Sequence, residues 1–413
     1  MKFRKNILTA GLVGVTMLLG AVSSGCGEKK DSEDVMKQVA DHLYETTFTE
    51  DFDWGTAAVS SSGSFGCSAI QAGQYRGRNY DWNYQDTDLC IVHTTVTENR
   101  PHASVGVADL SFLQKDGETP ERAKIPFVTV DGINDAGVCI QTNVMPFNEN
   151  GEIPHTETEE DDLAGSRVTR YVLDYAGSVE EALALLQEKD IQSVFGNEEL
   201  HWMISGPASA SDSTRKTVVL EVFPDGQHVT ENFVGDVPIM TNFDVSNFDG
   251  SEESVGIGLG YERWQILLEN AAEADSVIGT FDLMEKVFYS KAYDLYGDRF
   301  WYSEYAGTDL RKYYSEEELV SLIGRERYDA EIEQYGIVPY TPDLWDGETA
   351  IHGDISKTGL LAPVIEVSHE SYIAQKTDGS LWITLETAVY DLENLTLDIA
   401  VRESQDHHHF TIE

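Results

Sequence analysis

Cys67 heads a short apolar run, Ser68-Ala69-Ile70. Arg78 follows 11 positions after the cysteine, and Asp81 comes next in the same stretch. A thiol, a guanidinium and a carboxylate are ingredients of nucleophilic catalysis at an acyl carbon. The residues between them (Gln71-Ala72-Gly73-Gln74, then Tyr75) read as strand, glycine turn, strand. A hairpin brings its ends together, so Arg78 and Asp81 return to the side of Cys67. There the arginine is expected to shift the thiol toward thiolate, the nucleophilic form. The plainer alternatives are a bridge from Cys67 to Cys90 or Cys139, or an inert buried thiol. Four cysteines in 413 residues, the fourth being Cys26, are too few for a disulfide framework.

The run Gly77-Arg78-Asn79-Tyr80-Asp81-Trp82, placed behind a cysteine, resembles the start of the mature chain in the choloylglycine hydrolase family. That family holds bile salt hydrolases, penicillin V acylases and related linear-amide hydrolases of the N-terminal-nucleophile class. Later segments resemble the family in order: Gly132 to Gly137 followed by Thr142-Asn143, then Leu200 to Ser205, Met240-Thr241-Asn242, and Tyr261-Glu262-Arg263. Together they run from Cys67 to about Arg402. Gly206 to Thr214 reads as an insertion in the central hairpin. The first hairpin is shorter than the resemblance leads us to expect of a bile salt hydrolase.

The resemblance implies an α+β fold, a four-layer αββα sandwich of two antiparallel sheets. It also implies a division of labour. The Cys67 thiol attacks, and the α-amine of the same residue carries the proton to the leaving amine. An α-amine with a pKa near ~8 suits that task, provided that residue 67 becomes a chain start. Asp81 would hold the amine, against a turn-capping role, and Arg78 would keep the thiol ionised, against a surface ion pair. Asn143 would donate an N–H to the oxyanion and Asn242 would orient the nucleophile or its amine; the plain reading of both is a strand-end or turn asparagine. Arg263, at a helix start, would complete the polar network, against a solvent-facing helical arginine. The implied substrate is a small N-acyl amide, with no cofactor and no metal.

The remaining features frame this chemistry. Lys2, Arg4 and Lys5 precede an apolar stretch from Ile7 to Val22 and the sequence Ser23-Ser24-Gly25-Cys26. This reads as a lipoprotein-type signal over residues 1–25, with a lipid anchor on Cys26 and a bacterial cell-surface or secreted location; ordinary secretory cleavage near Ser24 is the alternative. Residues 26–66 then read as tether and propeptide, and 67–413 as the catalytic domain. Ser32 to Thr46 reads as a short helix striped by Val35, Val39 and Leu43, and Ser60 to Gly66 as a flexible junction. A formal charge of −45 argues against nucleic acid and anionic lipid surfaces as partners. Glu157 to Asp162 reads as a solvated loop, with calcium as its alternative. Asp406-His407-His408-His409 reads as a solvated tail, with metal binding as its alternative, against which neighbouring histidines on a strand face opposite ways; His201 reads as a satisfied core residue.

Along the chain, strands are expected at Ile125–Val130, Val138–Val144, Leu200–Ser205, Thr217–Phe223 and Leu395–Val401. Helices are expected at Ser166–Ala176, from Ser178 through Leu186, at Tyr261–Ala272 and at Thr280–Tyr289. Two other functions stay open on these residues: a non-catalytic surface lipoprotein that binds an amphipathic ligand, and a conventional Cys-His hydrolase that needs no processing.

Overall fold

The computed structural model describes residues 36–55, 66–82, 87–113, 120–145, 162–192, 199–223, 225–255, 260–288, 311, 315–336, 338 and 383–412. The first hairpin forms as its pattern predicts. β3 (Gly66–Ala72) pairs antiparallel with β4 (Tyr75–Trp82), placing Cys67 opposite Tyr80 and Gly66 opposite Asp81. Gly73 takes the left-handed backbone of the turn, at φ 54°. β4 also pairs with β15 (Ile383–Asp391), and the sheet runs on through β16 (Thr396–Val401) to β17 (His407–Thr411). β14 (Ile239–Met240) flanks β3, giving six strands in the order β14-β3-β4-β15-β16-β17.

The second sheet has nine strands. Its middle is β5 (Leu89–Thr94), β6 (Ser104–Asp109), β7 (Thr129–Asn134) and β8 (Cys139–Met145). Two short strands, β9 (Asp162–Ala164) and β10 (Asp190–Gln192), pair with each other in parallel apart from it. The large sheet extends through β11 (Glu199–Ser209), β12 (Asp212–Phe223) and β13 (Gly226–Thr230). At its other end lie β1 (Lys37–Ala40) and β2 (Leu43–Phe48), in the order β1-β2-β5-β6-β7-β8-β11-β12-β13. Every pairing in it is antiparallel except β2 on β5, which is parallel.

The two sheets pack face to face. Leu89, Ile91, Val105, Val107 and Ile133 of the larger sheet share one core with Ala388, Tyr390, Leu397 and Ile399 of the smaller. Truncating one of these leucines or isoleucines to alanine costs ~2–5 kcal/mol. α1 (Gly165–Tyr175) and α2 (Val179–Gln187) cover the outer face of the larger sheet, α1 over β7 and β8 and α2 over β11 and β12. α3 (Tyr261–Asn270) and α4 (Val277–Glu285) cover the smaller sheet, with α4 over β4 and β15. Gly77 allows that approach: a Cβ there would lie 2.8 Å from both Met284 Cγ and Thr280 Cγ2. The layers are thus helix, sheet, sheet, helix, the α+β αββα sandwich expected.

Several local expectations change. Residues 37–48 are two strands, not a helix; the apolar spacing of Val39 and Leu43 coincides with a helical period, but Thr46-Thr47-Phe48 favours a strand. Residues 122–128 form a 3₁₀ segment containing Pro126, so β7 starts at Thr129. The stretch Gly206–Thr214 lengthens the β11–β12 hairpin: Gly206 pairs with Lys216 and Pro207 with Arg215, and the register shifts before Ser209. His407–His409 form an edge strand instead of a loose tail, with His407 stacked on Phe281 at 3.9 Å. α5 (Glu316–Ile323) and α6 (Arg325–Tyr335) pack together, and Ser315 and Glu318 form a capping box at the start of α5. The signal segment 1–25, most of the junction at Ser60–Gly66 and the stretch Glu157–Asp161 lie outside the described residues.

Candidate active site

Alternation along β4 divides its chemistry between two faces. Arg76, Arg78 and Tyr80 point toward the larger sheet, where Arg76 donates to Met203 O at 2.8 Å and Arg78 to Thr142 O at 3.0 Å. Asn79 points the other way and donates to Met284 O of α4 at 2.9 Å. Cys67, opposite Tyr80, joins the inner face; Ser68 joins the outer one, where Arg263 of α3 reaches it. Arg78 therefore shares the face of the thiol. Asp81 does not: it meets the backbone of the hairpin from the outer face, whereas the hairpin pattern predicts both on the side of the thiol. Three positions along a strand reverse a side chain's direction.

On the inner face Cys67 is buried and lines a pocket. Tyr80, Phe112, Val128, Val130, Val144 and Leu200 form its apolar wall, with Thr142 and Asn143 beside them. Arg78 is answered by two carboxylates, since Nη1 bonds to Asp131 and Glu386 Oε1 lies 3.5 Å away. The Tyr390 hydroxyl donates to Asp131, and the Tyr80 hydroxyl donates to Asp109 Oδ2 at 2.6 Å. This balance sets the state of the thiol. Burial pushes the Cys67 thiol up to about 12, and the opposing pull of Arg78 does not overcome it. The direction is opposite to the expected shift toward thiolate: desolvation dominates, and Asp81 adds to it while Arg78 and Arg263 pull the other way.

On the outer face the backbone of Cys67 is gripped. Its N–H donates to Asn242 Oδ1 at 2.9 Å, and Asn242 Nδ2 donates to Val144 O at 2.8 Å. Arg263 donates through Nη1 to Cys67 O at 2.8 Å and to Ser68 Oγ at 3.0 Å, and through Nη2 to Asn242 Oδ1 at 3.0 Å. Asp81 Oδ2 lies 3.6 Å from Arg263 Nη1, and Asp81 Oδ1 accepts from Thr384 Oγ1 at 2.6 Å. Burial pushes the Asp81 carboxyl up to about 7 against the pull of Arg263 and Thr384. Gly260, the residue before α3, allows this end of the helix to close on the site: a Cβ there would lie 2.8 Å from both Arg263 Nη2 and Thr241 Cβ.

Five of the six residues singled out from the sequence touch this constellation as a network: Cys67, Asp81, Asn242 and Arg263 around the backbone, and Arg78 on the thiol's own face. Asn143 stands in the same cavity wall as Cys67, but its Nδ2 donates to Met240 O at 3.3 Å and Thr241 O at 3.1 Å. Its amide is thus turned to the β14 segment, and Oδ1 is the buried atom without a hydrogen-bond partner among the described residues. Sequence reasoning did not name Asp131, Glu386, Tyr80 or Thr384. The available signal was charge inside apolar strands, Val130-Asp131-Gly132-Ile133 and Leu385-Glu386-Thr387, since carboxylates are almost never fully buried unpaired. Cys67, Cys90 and Cys139 are all free, which removes the bridge alternative. His201 is a satisfied core residue, 3.0 Å from Thr241 O and 3.3 Å from Glu221 Oε1.

Residues 67–249 match the family model of the linear amide C–N hydrolases. Over those residues the match is to the choloylglycine hydrolase family within that class, and it indicates a linear amide C–N hydrolase. No curated protein matches it. Among solved structures it is similar to a conjugated bile acid hydrolase from Clostridium perfringens, with 13% identity over 84% of this chain and 92% of that one and a TM-score of 0.38. A second variant of the same hydrolase gives 14% identity, 84% and 92% coverage and a TM-score of 0.39. A penicillin V acylase from Agrobacterium tumefaciens gives 14% identity, 84% and 86% coverage and a TM-score of 0.37.

Proposed function

We propose that this hydrolase is a cysteine amidase of the N-terminal-nucleophile type, acting on small N-acyl amines through an acyl-thioester. One observation carries the reading. The backbone nitrogen of Cys67 is held at 2.9 Å by Asn242 inside the Arg263 network, while the side chain of the same residue lines the cavity. Once the Gly66–Cys67 bond is cut, that nitrogen becomes an amine next to its own thiol. A thiol kept neutral by burial then needs a base within reach, and the neutral amine is that base. As Sγ bonds to the substrate carbonyl carbon, the thiol proton passes to the amine. The resulting ammonium gives it to the leaving nitrogen as the C–N bond breaks. Water, deprotonated by the same amine, attacks the thioester carbonyl; the C–S bond breaks, the acid leaves, and the ammonium returns its proton to Sγ. Asn143 serves the oxyanion by turning an N–H from the Met240 and Thr241 carbonyls to the substrate oxygen.

The cavity wall of Tyr80, Phe112, Val128, Val130, Val144 and Leu200 favours an apolar acyl group, of which bile-acyl, phenoxyacetyl and fatty-acyl amides are the classes to compare. The N-terminal segment is part of the proposal: a signal peptide over residues 1–25, a lipid on Cys26, and a site at the cell surface. The test joins intact-mass measurement of the purified protein to a screen of N-acyl amides. The active species should begin at Cys67, and Cys67→Ala should bind substrate without turning it over. Full activity in a chain with residue 66 still joined to 67 would overturn the free-amine mechanism and favour a conventional cysteine hydrolase.

A further inference from the structure

The segment ahead of the nucleophile is woven into the fold. β2 lies on β5 in a parallel ladder from Leu43 opposite Leu89 to Phe48 opposite Thr94. Leu43 enters the core between the sheets with Leu89 and Ile91, whereas Phe48 enters the opposite face with Cys90, Val92, Leu110 and Ile125. Both are essentially without solvent exposure, at 0% and 1%. Without this strand β5 would be a bare sheet edge with apolar residues on both faces, the arrangement that native sheets avoid.

The catalytic part of the chain also grips the segment by its backbone. Arg100 donates to Phe48 O at 3.1 Å and Glu50 O at 3.0 Å, and its guanidinium lies 4.5 Å from the Phe52 ring. Arg122 donates to Thr47 O at 2.6 Å and Glu50 Oε1 at 2.7 Å, and lies 4.1 Å from the Phe48 ring. Arg167 donates to Trp54 O at 2.8 Å, while the Trp54 ring meets Phe127 and Tyr171 edge-on at 5.2 and 5.6 Å. Residues 36–55 carry five carboxylates and one lysine. An acidic strand is therefore met by arginines drawn from three separate places in a chain that is itself strongly acidic. These contacts bind backbone and rings, so they do not depend on a covalent link at residue 66.

We infer that residues 36–54 are a permanent strand-donating subunit of the enzyme: they remain docked on β5 after the chain is cut before Cys67, and so keep the catalytic part joined to Cys26. This rests on the cleavage proposed above, but its test does not. A site-specific protease sequence replacing residues 58–63 allows the full-length protein to be cut at will, whether or not it cuts itself. After cutting, gel filtration at micromolar concentration followed by intact-mass measurement should find the N-terminal piece and the catalytic piece co-eluting one to one. They should separate only in denaturant. Arg122→Gln, which stays folded while uncut, should release the N-terminal piece at least ~10-fold faster than the unsubstituted cut protein at the same denaturant concentration, because a charge-assisted grip is removed. Separation of the two pieces under native conditions, or an unchanged release rate in Arg122→Gln, would overturn the inference. The mass of the unmodified protein reports separately on cleavage at Gly66–Cys67, so failure of that reading is distinguishable from failure of this one.

Discussion

On the inner face of the β3–β4 hairpin, Arg78 is surrounded by Asp131, Glu386 and the Thr142 carbonyl. On the outer face, Arg263 spreads its N–H groups over Cys67 O, Ser68 Oγ and Asn242 Oδ1, with Asp81 at 3.6 Å. Both arginines are buried beside Cys67, yet they meet different partners. The inner one is paired with two carboxylates, and its pull on the thiol does not overcome desolvation. The outer one organises oxygens around the backbone nitrogen that the proposed mechanism uses as an amine. The difference teaches that proximity of a cation to a thiol does not by itself make a thiolate; the cation's other partners and the loss of water decide.

The comparison turns on Cys67, which belongs to both faces, so its removal has the largest expected effect. Cys67→Ala should lower turnover of the best N-acyl amide by ~10⁴-fold or more, with an unchanged circular dichroism spectrum. Wild-type-like turnover in that variant would remove the nucleophile from either account.

The two arginines should then separate. Truncating one partner of a buried charged network costs ~3–5 kcal/mol, so both alanine variants will be hard to handle, and lysine variants are the sharper probe. Arg263→Lys should lower kcat with a small fall in Tm. Arg78→Lys should lower Tm with a small fall in kcat. The reverse pattern, read by thermal melts and steady-state kinetics side by side, would break the division between the faces.

A smaller effect is expected at Asn143. Asn143→Ala should reduce kcat by roughly 100-fold, about 3 kcal/mol of barrier, with KM and Tm little changed. A large Tm loss with near-normal kcat would instead assign its amide wholly to holding the Met240 and Thr241 carbonyls.

The smallest concerns Asp81 in uncut protein. Its folded carboxyl titrates near 7, above the 3.8 of an ordinary aspartate. The folded state therefore holds this proton more tightly than the unfolded chain, and the associated stability is present below about pH 4 and lost as pH rises to 7. Asp81→Asn should flatten that decline, by on the order of 1–4 kcal/mol, in denaturant melts recorded from pH 4 to 8. Parallel slopes in both proteins would show that Arg263 and Thr384 hold the carboxylate ionised throughout.

Much of this was legible in the chain. The glycine turn at Gly73 and the alternation around it specify the hairpin because both are local: a left-handed turn and a two-residue period need no distant partner. The helices at Gly165–Tyr175 and Val179–Gln187, and the Ser178 side chain that caps the second by accepting from Glu181 N at 3.2 Å, follow from equally local rules. The order of the family-like segments brought Asn242 and Arg263 to the site. What the sequence did not reveal were the quantities set by burial across long separations. Asp131 and Glu386 stand far apart along the chain but meet at Arg78, and the burial that outweighs its pull on Cys67 is likewise set by the fold. Residues 37–48 carry a spacing that suits a helix, and they become strands because β5 offers an open edge and two apolar faces to fill. Residue types and local periodicity determined which groups could do chemistry and which elements would carry them. Tertiary structure alone decided which face each group occupies, which charges cancel, and that the segment before the nucleophile belongs to the sheet, because desolvation and edge pairing depend on neighbours that the chain brings together only on folding.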